Sequence, residues 1–305
     1  MPEYPDVVVY VEHLRRRLIG HVLEKIRLGS PFVVRSADPP LRLAEGKRVL
    51  AVSRLGKRII LELEGDLFLV FHLMIAGRLH WVERGKKVPG WRGLAAFDFD
   101  DGTLSLTEAS SKKRASLHLV RGRDQVSAFD RGGLEVVDAD ASSFRATLSR
   151  ENHTLKRALT DPRLFSGIGN AYSDEILHRA KLSPVKLTAQ LTSEEQQRLY
   201  LATRETLLDW AERLRREAGE DFPEHVTAFR KEMAVHGKFR QPCPVCGASV
   251  QRIVHAENET NYCPRCQTGG RLLADRSLSK LLKDDWPRTI EELEERANRP
   301  RATAP

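Results

Sequence analysis

The apolar positions begin with a helical period. Val7, Val11, Leu14 and Leu18 share one face of a predicted helix over Asp6–Leu18, with Glu12, Arg15 and Arg16 opposite. Gly20 is placed to end it. From His21 the period shortens to two. Leu23–Leu28 alternates, and strands are predicted at Lys47–Ser53, Arg58–Leu63, Leu67–Leu73, Arg78–Val82, Leu94–Phe99, Thr103–Leu106 and Ala115–Val120. Asp100-Asp101-Gly102 is a tight hairpin signal, and Gly85–Arg92 reads as an exposed loop. Short turns without intervening helices predict an antiparallel sandwich or barrel.

The polar, glycine-containing stretch Arg121–Gly133 marks a domain boundary. Beyond it the period turns helical at Ser142–Arg150, Thr154–Leu159, Ala171–Ala180 and Ser193–Ala218. The last helix carries Ser193 as its expected N-cap, with Gln196 three residues on. Its Leu207–Leu214 portion reads as a bundle element. Gly219–Glu224 breaks the helix, and a basic, irregular stretch, Val226–Arg240, leads to the cysteines. Short helices are predicted at Leu272–Leu282 and Thr289–Ala297, then a frayed tail over Arg299–Pro305. The organisation expected is 1–128, a sandwich; 129–225, a helical domain; 226–270, a cysteine-bearing segment with its basic lead-in; and 271–305, a helical extension.

Composition narrows the partner. The formal net charge is +8 across 305 residues, which favours an anionic polymer. No apolar run approaches the ~20 residues needed to cross a bilayer, and no secretory leader is legible. A cytoplasmic location is therefore expected, where disulfides rarely persist.

Three stretches carry chemistry. In Met1-Pro2-Glu3-Tyr4-Pro5-Asp6, loss of Met1 would leave Pro2 as a secondary amine beside a carboxylate. An α-amine titrates at roughly 7.7–8.0, so a useful fraction is nucleophilic at neutral pH. Such an amine can attack an anomeric carbon and form an iminium, while a neighbouring carboxyl shuttles protons. The plainer alternative is that Pro2 merely starts a helix. Second, Cys243-Pro-Val-Cys246 and Cys263-Pro-Arg-Cys266, sixteen residues apart, have zinc-site spacing. Four thiolates close a tetrahedral shell, so the metal would be structural; disulfides or two free pairs are the alternatives. Ser249–Val254 and Thr260–Tyr262 can form a hairpin between the pairs, with Lys238, Arg240, Arg252 and Arg265 around the site. Third, Ser166-Gly167-Ile168-Gly169-Asn170 lies between two predicted helices, with Asn170 placed to cap the second. Its amides, with Lys156, Arg157 and Arg163 nearby, can bind phosphate, or the stretch is an ordinary helical corner.

Assembled, these parts resemble the formamidopyrimidine-DNA glycosylase / endonuclease VIII family. The resemblance runs from Pro2 to about Gln267, through Pro2-Glu3, Leu55-Gly56-Lys57, Gly167-Ile168-Gly169-Asn170 and the finger ending in Cys266-Gln267. It implies an α+β chain with an N-terminal antiparallel β-sandwich and flanking helix, a helix–two-turn–helix domain and a C-terminal four-cysteine zinc finger. DNA would lie in a cleft with the damaged nucleotide flipped out. Pro2 corresponds to the family nucleophile, Glu3 to the proton-transferring acid and Lys57 to the loop lysine beside the lesion phosphate. Asn170 corresponds to the phosphate-binding asparagine. Lys156, Lys113 and Arg114 complete the expected DNA contacts, and Cys243, Cys246, Cys263 and Cys266 would hold one Zn2+.

The activity implied is that of a bifunctional glycosylase and abasic-site lyase. It would excise oxidised or ring-opened bases from double-stranded DNA and cut by β,δ-elimination, as a monomer. A non-cleaving damage-binding protein, or a lyase for bulky or crosslinked lesions, are the alternatives. These rest on departures from the family pattern. Tyr4 and Asp6 replace the usual N-terminal residues. Ile75 takes the place of the void-filling Met. Ser110–Ala115 replaces the Arg-Phe intercalating loop, leaving no aromatic wedge there. Asn258, flanked by Glu257 and Glu259, replaces a phosphate-gripping arginine. Asp174 and Glu175 read as first-turn acids, and His72, His118, His178 and His255 as core or surface residues. Trp81, Trp91, Trp210 and Trp286 read as packing residues.

Overall fold

The computed structural model describes residues 1–224, 226, 227, 229–255, 258–274 and 287–298. The chain divides into two compact units, 1–135 with 207–228, and 136–206 with 229–305. The elements of the first unit are α1 (Tyr4–Leu18), β1 (Val22–Leu23), β2 (Lys25–Leu28), β3 (Lys47–Leu55), β4 (Arg58–Leu63), β5 (Leu67–His72), β6 (Gly77–Val82), β7 (Gly93–Asp98), β8 (Thr103–Glu108), β9 (Ser116–Arg121) and α2 (Arg123–Ser127). The strands form two antiparallel sheets, ordered β1-β3-β4-β5-β9 and β2-β7-β8-β6.

The stretch over Leu23–Leu28 is not one strand. It leaves the first sheet at Leu23 and joins the second at Lys25. At the crossing, the Glu24 amide donates to the Asp98 carbonyl at 2.9 Å. Alternation continues through such a corner, so periodicity alone cannot reveal it.

One core lies between the sheets and α1. Val7, Tyr10, Leu14 and Leu18 of α1 pack with Ile59, Leu61, Phe71, Phe97 and Leu106. Phe71 and Phe97 meet edge-on across the sheets at 5.1 Å. Ile60, Phe68 and Val70 point the other way and are covered by Val126 and Phe129, beside α2. Burial on both faces explains why β4 and β5 read as nearly continuous apolar runs.

The second unit contains α3 (Ala141–Leu148), α4 (Leu155–Thr160), α5 (Asn170–Arg179), the start of α6 (Ser193–Ala218), the hairpin β10 (Gln251–His255) and β11 (Asn258–Tyr262), α7 (Pro264–Thr268) and α8 (Ile290–Asn298). The N-cap of α6 is Thr192, not Ser193. The Glu195 amide donates to Thr192 Oγ1 at 3.2 Å, and the Thr192 amide to Glu195 Oε2 at 3.0 Å, a reciprocal capping box. Of the helix expected over Leu272–Leu282, residues 272–274 are irregular and the rest lies outside the described residues, as does the tail.

The end of α6 and the segment after it belong to the first unit. Arg215 pairs with Glu12 at 2.7 Å, and Phe222 packs on Tyr10 and His13. No described helix is long and apolar enough to cross a membrane.

Two histidines of this unit are held neutral. Burial, aided by Arg16 and Arg17, lowers His13 to about 4; burial, aided by Arg58 and Lys57, lowers His72 to about 4. An unfolded histidine protonates at about 6.5. Between these values the unfolded chain binds more protons, so stability is full above about pH 6.5 and falls as pH drops towards 4. Thermal melts across that window should show the decline. Replacing both histidines by Asn should flatten it; an unchanged slope would assign the acid sensitivity to other groups.

Candidate active site and nucleic-acid interface

The first site is built around the chain start. Pro2 and Glu3 are buried, with Met1 above them partly exposed. The Glu3 amide donates to Asp6 Oδ2 at 3.0 Å, which fixes the first turn of α1. Burial lowers the Met1 amine below its usual range; Glu3 and Asp6 oppose this, while Arg78 and Lys57 add to it. Glu3 and Lys57, expected from sequence, therefore lie close enough to the terminal amine to act on its charge. Arg78 joins them and was not anticipated.

Lys57 sits in the two-residue turn between Leu55 and Arg58, which pair across β3 and β4. Gly56 has φ 59, the left-handed region such a turn requires. Arg54 braces the turn by donating to the Gly56 carbonyl at 2.8 Å. Its guanidinium carbon also lies 4.6 Å from the Tyr4 ring centroid, and it pairs with Glu135. Tyr4, a departure from the family pattern, thus tethers the N-terminal segment to the lysine turn.

Lys113 and Arg114 lie on the loop between β8 and β9. Buried Glu108 organises it, accepting the Arg114 amide at 3.0 Å and the Ala115 amide at 3.1 Å. Lys113 Nζ donates to the Glu108 carbonyl at 2.5 Å.

The second site lies in the other unit. Gly167 has φ 78, and Gly169, not Asn170, is the N-cap of α5. Asn170 is the first helical residue, and its side-chain amide donates to the Glu259 carbonyl of the finger hairpin at 2.9 Å. Lys156 Nζ donates to the Asn170 carbonyl at 2.7 Å and to Asp174 at 2.5 Å. The structure thus brings Lys156 and Asn170 together, with Lys156 engaged by a buried carboxylate.

Asp174 and Glu175 are not first-turn acids. Asp174 also meets His236 Nδ1 at 2.8 Å and accepts the Asn261 amide at 3.1 Å. Glu175 accepts the amides of Ala234, Val235 and His236 at 2.8–2.9 Å. Burial raises the Glu175 carboxyl, and those three amides oppose the rise. Nothing local in the sequence marks these roles, because Lys156 lies 18 residues away and the other partners 59 or more.

The four cysteines form no disulfide, and their sulfurs lie within 4.8 Å of one another. Cys243 and Cys266 sulfurs are 3.9 Å apart, and Cys246 and Cys263 sulfurs 3.3 Å. A tetrahedral Zn–S shell needs separations of about 3.8 Å, so the set fits a single structural Zn2+. Burial pushes the Cys266 thiol up to about 12, so a cation is needed to hold the thiolate. His178, read from sequence as a core or surface residue, is buried with Nε2 3.3 Å from Cys243 Sγ. Gln267 accepts the Cys263 amide at 2.8 Å and donates to the Leu182 carbonyl at 2.9 Å, tying the finger to the helices.

An antiparallel sandwich with a flanking helix, a helix-rich unit with a glycine turn, and a four-cysteine zinc motif define a helix–two-turn–helix zinc-finger protein. The comparisons with known proteins agree. Residues 1–118 match the Formamidopyrimidine-DNA glycosylase N-terminal domain, 134–215 the Formamidopyrimidine-DNA glycosylase H2TH domain, and 240–269 the zinc finger found in FPG and IleRS. The formamidopyrimidine-DNA glycosylase of Thermus thermophilus is 35% identical over 279 residues, spanning 88% of this chain and 100% of the relative. That of Heliobacterium modesticaldum is 31% identical over 281 residues, with the same coverage. Among solved structures, the complex of Lactococcus lactis Fpg with abasic-site DNA is 27% identical, with TM-score 0.77 and coverage of 87% and 99%. The chain belongs to the formamidopyrimidine-DNA glycosylase family.

Two substitutions test this unit. Asp174→Ala leaves the Lys156 cation without its buried partner and should cost about 3–5 kcal/mol in denaturant unfolding of the zinc-loaded chain. Cys263→Ser should release zinc, read by metal analysis, and abolish DNA binding while the sandwich stays folded. Normal DNA binding by that variant would remove the finger from the interface.

Proposed function

We propose that the chain is a bifunctional DNA glycosylase and abasic-site lyase of base-excision repair, acting on oxidised or ring-opened bases in double-stranded DNA. The observation that carries this reading is a terminal amine within electrostatic reach of Glu3 and Lys57, with the lysine turn tethered to the N-terminal segment through Arg54, in a chain of this family. After loss of Met1, the Pro2 nitrogen becomes the terminal amine. Its lone pair attacks C1′ of the flipped nucleotide, and the N-glycosidic bond breaks as the base leaves with its electron pair. The Pro2 nitrogen gives up its own proton to the departing base, and Glu3 supplies the proton that the sugar ring oxygen takes as the ring opens, leaving a Pro2–C1′ iminium and a Glu3 carboxylate. The iminium makes the C2′ proton acidic, so β-elimination expels the 3′ phosphate and δ-elimination the 5′ phosphate. Lys57 holds the phosphate beside the lesion. Asn170 and the Gly167–Gly169 turn bind backbone phosphate, with Lys156 fixing the turn through the Asn170 carbonyl. Lys113 and Arg114 add cationic contacts, and Zn2+ is structural. The active species is a monomer working on nucleoid DNA in the cytoplasm.

One observation favours a non-cleaving damage binder instead. In the finger hairpin Asn258 carries no charge, and Arg252 is paired with Glu259 at 3.0 Å, which weakens the local cation. Scission of an abasic duplex separates the two readings.

Borohydride should trap a one-to-one covalent adduct of the wild-type chain with abasic DNA. Pro2→Gly, or an uncleaved N-terminal tag, should abolish it; an adduct that persists would reassign the nucleophile. Glu3→Gln should lose about 10²- to 10⁴-fold in base excision while still binding abasic DNA. Mass analysis of the mature chain should find Pro2 first.

A further inference from the structure

Three loops emerge side by side at one end of the β2-β7-β8-β6 sheet. Gly77, at the start of β6, pairs with Glu108, at the end of β8; Gly93, at the start of β7, pairs with Thr107. The loops ending in Ala76 and Arg92 therefore flank the loop leaving Glu108. Backbone bonds join them: the Glu108 amide donates to the Arg92 carbonyl at 2.8 Å, and the Ala109 amide to the Ala76 carbonyl at 3.4 Å.

This end exposes two large apolar side chains. Trp91 is 63% exposed and Ile75 52%. Packing was the sequence expectation for Trp91, and the structure overturns it. Lys113 Nζ lies 4.8 Å from the Trp91 ring centroid, and the Arg92 guanidinium carbon 5.1 Å. The indole is thus framed by cations from two loops that are themselves hydrogen-bonded into the sheet.

An exposed indole among cations is a poor surface for an apolar protein partner and a good one for a nucleobase. Aromatic rings stack on any base, while adjacent cations engage the phosphates. Displacing a nucleotide leaves a gap in the base stack that some group must fill. The Ser110–Ala115 loop has no aromatic side chain, but Trp91 stands beside it on the neighbouring loop.

We propose that Trp91 is the stacking wedge of this protein, inserting its indole against the bases left unstacked when the damaged nucleotide leaves the duplex, with Lys113 and Arg92 on the flanking phosphates. The inference rests on the DNA-repair reading above. Trp91 is a positioning residue here and takes no part in bond breaking.

The test uses the zinc-loaded full chain with two duplexes, one undamaged and one carrying a tetrahydrofuran abasic analogue opposite 2-aminopurine. Trp91→Ala should weaken binding to the abasic duplex roughly 5- to 150-fold, the range for loss of one base–aromatic stack. Binding to the undamaged duplex, governed by phosphate contacts, should stay within about twofold. The wild type should quench 2-aminopurine fluorescence, Trp91→Phe should retain most of the quench and the affinity, and Trp91→Ala should lose both. Unchanged affinity and quench in Trp91→Ala would overturn the wedge, as would equal losses on both duplexes. A wild type with no preference for the abasic duplex would instead sink the repair reading, and the wedge with it.

Discussion

Two adjacent buried carboxylates, Asp174 and Glu175, hold the second unit together. Between them they engage the Lys156 ammonium, the His236 ring, the Asn261 amide and three consecutive amides at 234–236. Helix α4, the lead-in to the finger and the finger hairpin therefore share one anionic centre on α5. Burying two carboxylates is costly unless their lone pairs find donors, and here the donors come from segments far apart in the chain. The glycine turn inherits its position from this centre. Lys156 reaches the Asn170 carbonyl and Asp174 with the same ammonium, and Asn170 reaches the hairpin. The zinc shell closes the finger locally, but the carboxylates decide where its hairpin sits on α5.

The first unit solves a similar problem with one arginine. A nucleophile at a chain terminus would ordinarily fray. Here α1 is buried along one face, and Arg54 links the residue after Glu3 to the lysine turn by stacking on Tyr4 and donating to Gly56. The tether fixes the N-terminal segment and the turn that carries Lys57 relative to each other before any substrate arrives. That is the kind of preorganisation a covalent step between a terminal amine and a sugar carbon requires.

Much of this was legible where the signal is local. Alternation found the strands, Cys-x2-Cys spacing found the metal site, the glycines of Gly167–Asn170 marked a turn, and the family resemblance picked out Leu55-Gly56-Lys57. What escaped depends on distant partners or on geometry that leaves the pattern unbroken. The sheet crossing at Glu24 preserves alternation. Thr192 and Ser193 are equivalent as caps until the Glu195 amide chooses. Asp174 and Glu175 look like ordinary helical acids because their donors lie far along the chain. His178 meets Cys243 across 65 residues. Trp91 sits in a stretch whose polarity marks an exposed loop, but loop polarity does not say whether an indole in it folds back to pack or stays exposed.

The departures from the family pattern also read differently once charge is followed through each unit. In the finger hairpin, Arg252 is paired with Glu259 and Asn258 adds no cation, so few counterions would be released there. At the open end of the β2-β7-β8-β6 sheet, Arg92, Lys112, Lys113 and Arg114 gather on two loops held by buried Glu108. A protein that grips DNA through released counterions gains most where its cations are concentrated. Of these two places, the sandwich loops therefore hold the greater concentration of cations, where the proposed lesion contact would gain most. Exposed Trp91 lies on one of these loops and exposed Ile75 on the third loop beside them, so cations and apolar side chains gather at one end of the sheet. A cationic loop beside an indole supplies both electrostatic hold and stacking, two terms that respond differently to salt: the first weakens as salt rises, while the second persists.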